Sequence, residues 1–154
     1  MTQHKSTIKI NTGSESVLSP GKKAQKTARW ARIMTKWLIS YTRQRGVKWN
    51  LVEFGGKTGS ESRGIVDLVA IRKDHKPHQR GLKQGDLFDI ILIQVKGGGA
   101  KGPSNSDIER LVQVAAFHGA RAIVLAEWQK GQSPVLSRLE GLTWQKVDPS
   151  EIFR

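Results

Sequence analysis

Ile91-Leu92-Ile93-Gln94-Val95-Lys96-Gly97-Gly98 is an apolar run of strand length that closes on an amide, an amine and a pair of glycines. Side chains alternate along a strand with period two, so Gln94 and Lys96 share one face. A second run, Gly64-Ile65-Val66-Asp67-Leu68-Val69-Ala70-Ile71, sets the carboxylate of Asp67 among apolar neighbours. A buried sheet has no packing reason to hold these three groups, and burying them without partners is costly. Grouped at the ends of adjacent strands, they make a small site for a hard metal ion and a phosphate.

Outward from these runs, the pattern predicts an α/β domain. Trp30, Ile33, Met34, Trp37, Leu38 and Tyr41 recur at spacings of three and four and predict a helix over 22–45, with Gly46 placed to end it. Its apolar stripe is expected to pack on a sheet, with Lys and Arg turned outward, and Trp30, Trp37 and Trp128 are read as core. Strands are expected over 48–54, 65–72, 89–96 and 121–128, with a short one over about 142–147. The polar stretch 73–85 reads as an exposed insertion loop. Ser106 and Glu109 fit a capping box that opens a second helix, which runs to about His118 and stops at Gly119. The order is α-β-β-β-α-β, and its last βαβ step implies a parallel strand pair. Residues 1–21 read as a flexible polar and basic arm, and 22–154 as a single domain.

Charge is distributed unevenly. Of the net +13, the first 48 residues carry +10, from eleven Lys or Arg against Glu15 alone. A surface facing a polyanion requires such an excess, so nucleic acid is the expected partner and a membrane surface is not. No apolar run approaches the ~18–20 residues of a membrane helix, and no apolar segment near the start suggests secretion. Cysteine is absent, which removes disulfides and thiolate metal sites and fits a reducing, cytoplasmic compartment.

An Asp in an apolar strand after Gly64-Ile65-Val66, then a strand ending Gln94-Val95-Lys96 before glycines, then helix and strand, resembles the PD-(D/E)XK nuclease superfamily. That group includes restriction endonucleases, archaeal-type Holliday junction resolvases and transposon-encoded nucleases. The resemblance covers about residues 24 to 128 and implies a restriction-endonuclease-like fold, a central mixed sheet flanked by helices. It also implies DNA phosphodiester hydrolysis with Mg²⁺ or Mn²⁺, and a homodimer or nucleoprotein assembly. Asp67 is then the metal-ligating carboxylate, with Gln94 and the backbone carbonyl of Val95 as further oxygen donors, and Lys96 orients water and steadies the phosphate.

Two departures stand out. Val66 replaces the family's Pro, and Gln94 replaces its second acid, so the site loses one formal negative charge. Residues 22–46 hold no acid, so a third carboxylate is Glu61 or Glu53. Around this centre, Lys57, Arg63 and Lys101 lie in glycine-rich loops suited to flanking phosphates. Lys22, Lys23, Lys26, Arg29, Arg32 and Lys36 on the first helix supply attraction at longer range. The absence of a base-reading module points to a structure- or backbone-directed substrate. The alternative is a weak or inactive nucleic-acid-binding subunit of a larger complex, and a third reading is a subunit that docks on protein. Zinc through His75, His78 and His118 lacks a completing set. Lys57-Thr58-Gly59 lacks the full phosphate-loop spacing.

Overall fold

The structure, a computed structural model, describes residues 17–42, 48–55, 64–76 and 80–154. Its elements run α1 (Pro20–Thr42), β1 (Asn50–Glu53), β2 (Leu68–Asp74), β3 (Leu87–Gly97), α2 (Asn105–His118), β4 (Ala122–Trp128), β5 (Val135–Glu140), β6 (Thr143–Val147) and α3 (Pro149–Ile152). The strands form one mixed sheet in sequential order. β3 and β4 pair in parallel, as the βαβ step implied, and every other neighbouring pair is antiparallel. The fold class is therefore α/β. The helix expected over 22–45 begins two residues earlier, at Pro20, and Gly46 lies outside the described residues.

Alternation sorts the sheet into two faces. Leu68, Ala70, Ile91, Ile93, Val124 and Ala126 pack with Ile39 of α1 on one face. Leu92 and Ile123 pack with Leu111 and Ala115 of α2 on the other. β3 is thus apolar on both faces for most of its length, as a central strand requires. It is the natural place for a rigid site at its end.

The face of α1 that meets the sheet differs from the expectation. Its buried residues are Ala31, Arg32, Thr35 and Ile39, whereas Trp30 is 45% and Trp37 53% exposed. Only Trp128 of the three tryptophans read as core is buried. The cause is close approach. A Cβ on Gly97 would stand 3.0 Å from Ala31 Cβ and 3.1 Å from the Thr27 carbonyl oxygen. A helix seated so tightly on a strand needs small residues where the two meet, and the bulky aromatic stripe is left outside.

The cap of α2 also differs. Ser104 is the N-cap: its hydroxyl accepts from the Asp107 N–H at 3.2 Å, and the Asp107 carboxylate accepts from the Ser104 N–H at 3.1 Å. The box is Ser104 with Asp107, not Ser106 with Glu109, and Glu109 is exposed. Gly119 does end the helix, in the left-handed conformation with φ 62°.

β5 and α3 have no counterpart among the sequence expectations. α3 is anchored at the end of the sheet away from Gln94 and Lys96, whereas β5 begins at the near end, where Val135 lies opposite Glu127. Buried Asp89 accepts from Arg72 Nη2 at 3.1 Å and pairs with Arg121 Nη1 at 3.1 Å. Both guanidiniums lie over the Trp49 ring, at 4.1 and 5.2 Å from its centroid. Arg121 also donates to the Ile152 carbonyl and Arg72 to that of Arg154, which ties the C-terminus to the sheet.

Candidate functional site

Asp67 immediately precedes β2, and the ladder already runs through its backbone. The Phe54 N–H donates to the Asp67 carbonyl and the Asp67 N–H donates to the Ile93 carbonyl, both at 3.0 Å. Leu68 lies opposite Ile93, so Asp67 sits beside Gln94. Period-two alternation then sends Asp67, Gln94 and Lys96 to the same face as Leu92. The Asp67 carboxylate is fixed there, with Oδ2 accepting from the Val95 N–H at 2.7 Å.

The three residues line one cleft of about 540 Å³, which opens at the end of β3. One wall is the N-terminal half of α1, through Ala24, Thr27, Ala28 and Arg32. The other is the run from Gly97 to Pro103, including Lys101, with Asp107 from the first turn of α2. Gly98, at φ 61°, lets the chain leave β3 toward that wall, and its N–H donates to the Trp128 carbonyl at 2.9 Å.

Gln94 presents the most informative atom. Its Oε1 is buried with no hydrogen-bond donor among the described residues. A buried acceptor left unmatched costs roughly 1–3 kcal/mol, and a hard cation beside Asp67 would satisfy it. Oxygen donors of a carboxylate and an amide suit Mg²⁺ or Mn²⁺ and not a soft metal. Among the described residues no group of three His, Cys, Asp or Glu is gathered for a metal. The two oxygen side chains therefore make a partial set.

Lys96 is engaged by a residue that nothing in the sequence marks. Its ammonium lies 3.4 Å from Oε1 of Glu127, which stands beside it in the parallel β3–β4 pair. A parallel register has no local sequence signature, so spacing does not reveal this partner. Asp107 likewise reads from sequence only as part of a cap. Hydrogen bonds from the Ser104 backbone and hydroxyl hold its carboxyl below the ordinary Asp range, so it faces the cleft as an anion.

Glu53 is placed elsewhere. It pairs with Leu68, on the α1 face, where it bonds Arg32 Nε at 2.8 Å and the Lys36 ammonium. Burial pushes its carboxyl up, but the hydrogen bonds and charges of Lys36 and Arg32 outweigh that and hold it below the ordinary range.

Comparison with protein-family models, with curated proteins and with solved structures finds no match. The chemistry of the site therefore rests on its own atoms.

The basic residues divide. Lys22, Lys23, Lys26 and Arg29 are exposed on the outer part of α1, and Lys101 is exposed at the cleft. Arg32 is buried and, like Lys36, bound to Glu53. Arg32 therefore departs from the expected outward position, whereas Lys36 keeps about a third of its side chain exposed. Glu61, Lys57 and Arg63 lie outside the described residues. No helix among the described residues is long and apolar enough to cross a membrane.

Proposed function

We propose that the chain is a metal-dependent DNA phosphodiester hydrolase of the PD-(D/E)XK type, on a restriction-endonuclease-like core from α1 to β4. One observation carries the reading: the Asp67 carboxylate is pinned by the Val95 N–H beside a buried, unmatched Gln94 Oε1, with Lys96 two residues on in the same cleft. Element order and the parallel β3–β4 pair support the same core.

Asp67 and Gln94 would hold a Mg²⁺ or Mn²⁺ ion. Such an ion supplies Lewis acidity toward water and the phosphate. Lys96 donates hydrogen bonds to a phosphate oxygen or to the attacking water, and Glu127 fixes the direction of its ammonium. Lys101 neutralises a neighbouring phosphate. Water oxygen forms the new bond to phosphorus, and the sugar oxygen departs with the electron pair and takes a proton. Glu53 serves the scaffold in this reading, so of the two acids expected to complete the centre Glu61 is the one left, and Asp107 adds an anion at the cleft wall.

A second reading has support of its own. Gln94 is neutral and Lys96 is already paired with Glu127, which together weaken an ion site. The same fold would then hold nucleic acid within a larger assembly without cutting it. Supercoiled plasmid, incubated with Mg²⁺, Mn²⁺ or EDTA, separates the two. Nicking or linearisation by the wild type, lost in EDTA and in Asp67→Asn and Lys96→Ala, is the expected result. Intact plasmid in every lane, with DNA still retarded in gels, would reject hydrolysis and leave the binding subunit.

A further inference from the structure

The outer face of α1 carries an apolar stripe that nothing among the described residues covers. Trp30 is 45%, Ile33 36%, Trp37 53% and Tyr41 77% exposed. These positions advance by three, four and four residues, so they share one side of the helix. The stripe extends for about 16 Å at the helical rise of 1.5 Å per residue. Trp37 and Tyr41 are already stacked, with centroids 5.2 Å apart and planes within 15°. Such a surface on a helix is unusual unless it meets a partner.

Its charge decides what that partner is. Lys22, Lys26 and Arg29 form a groove of about 460 Å³ with Trp30 and Ile33. From Pro20 to Thr42 the helix contains no acid at all. A second copy docking in parallel would oppose like charges, and an antiparallel one would set Lys22, Lys26 and Arg29 against a helix end that has no acid to match them. An acidic polymer would match them, and planar apolar groups interleaved with cations match a nucleic acid whose base faces are accessible. A duplex hides those faces within its stack. An unpaired strand offers them, and aromatic side chains beside a cationic track are how unpaired strands are held.

We infer that this face docks an unpaired segment of the DNA substrate, with Trp30 and Trp37 stacking on bases and Lys26 and Arg29 following the phosphates. The inference rests on the reading of DNA as substrate and names its class: a branched, flapped or frayed duplex. The path is continuous, because Ala24 and Ala28 of the same helix wall the cleft that holds Asp67. A strand leaving the cleft over the first turns of α1 arrives at Lys26 and Trp30.

The test is binding measured by fluorescence anisotropy in EDTA, so that cutting plays no part. Probes are an oligothymidylate and a blunt duplex of the same length. For Trp30→Ala/Trp37→Ala, the ratio of single-strand to duplex affinity should fall about tenfold or more, and Trp30→Phe/Trp37→Phe should restore it. Circular dichroism confirms that both variants fold. An unchanged ratio overturns the proposal, as does an equal loss on both probes. A wild-type dimer that the alanine pair converts to monomer, with the ratio intact, assigns the face to a second copy instead and also overturns it. Failure of the plasmid assay is a separate outcome, since it leaves this ratio untouched.

Discussion

At the scale of single residues, Gln94 is where the site departs most from what its chemistry favours. The neutral amide gives an oxygen but no charge, and Gln94→Glu adds one beside Asp67. Mn²⁺ titrated calorimetrically should bind Gln94→Glu about tenfold more tightly or better, which corresponds to ~1.4 kcal/mol. Asp67→Asn keeps an oxygen for the Val95 N–H and loses the charge, so it should fold normally and lose Mn²⁺. Equal Mn²⁺ affinity in wild type, Gln94→Glu and Asp67→Asn would remove the ion from this cleft. Glu53 provides the contrast. Glu53→Gln takes a charge from buried Arg32 and should cost roughly 1–3 kcal/mol in urea unfolding, with Mn²⁺ affinity unchanged. Asp67, Gln94 and Lys96 are legible in sequence because polar groups inside apolar runs need a reason. Glu127 is not, because it reaches Lys96 through a pairing between strands 31 residues apart.

At the scale of elements, the seat of α1 on β3 positions the site, and Gly97 permits it. Gly97→Ala puts a methyl where Ala31 Cβ and the Thr27 carbonyl already stand. Overpacking of this kind costs about 1–3 kcal/mol. The urea midpoint should drop and Mn²⁺ affinity should weaken with it, because the α1 wall moves away from Asp67. A stability loss with Mn²⁺ binding intact would show that the wall is not part of the site. The opposite end of β3 gives the complementary case. Asp89→Asn leaves two guanidiniums without their shared carboxylate and should cost about 3–5 kcal/mol, without altering ion affinity per folded molecule. The seat also explains why the helix is legible and its orientation is not. Hydrophobicity favours Trp30, Trp37 and Tyr41 as the inner stripe. The true signal is the small residues Ala24, Thr27, Ala28, Ala31 and Thr35, whose value appears only once Gly97 lies beneath them. β5, Val-Leu-Ser-Arg-Leu-Glu, escapes a sequence reading for a related reason: its apolar residues are no cleaner as a strand than as a turn of helix.

At the scale of the whole molecule, charge governs both stability and binding. Glu53, Asp107 and Asp148 are each held below the ordinary carboxylate range, Asp148 by hydrogen bonds from the Ser150 hydroxyl and backbone. A carboxyl with a depressed pKa in the folded state contributes stability above its unfolded value and loses it as the pH falls through the folded one. Unfolding free energy should therefore decline as the pH drops below about 4. The 26 Lys and Arg are then left unopposed by the 13 acids, and self-repulsion deepens the fall, so added salt should recover part of it. If DNA is the partner, as proposed, the same cations set its response to salt. For a duplex, removing one cation that touches a phosphate lowers the slope of log affinity against log salt by about 0.9. Lys101→Ala should remove about one such step on the duplex, and Lys26→Ala about 0.7 on an unpaired strand. Lys146→Ala, on the exposed part of β6, should remove none. A slope that Lys146→Ala lowers as much as the other two would mean that DNA meets the protein through diffuse charge, with no defined track from the cleft across α1.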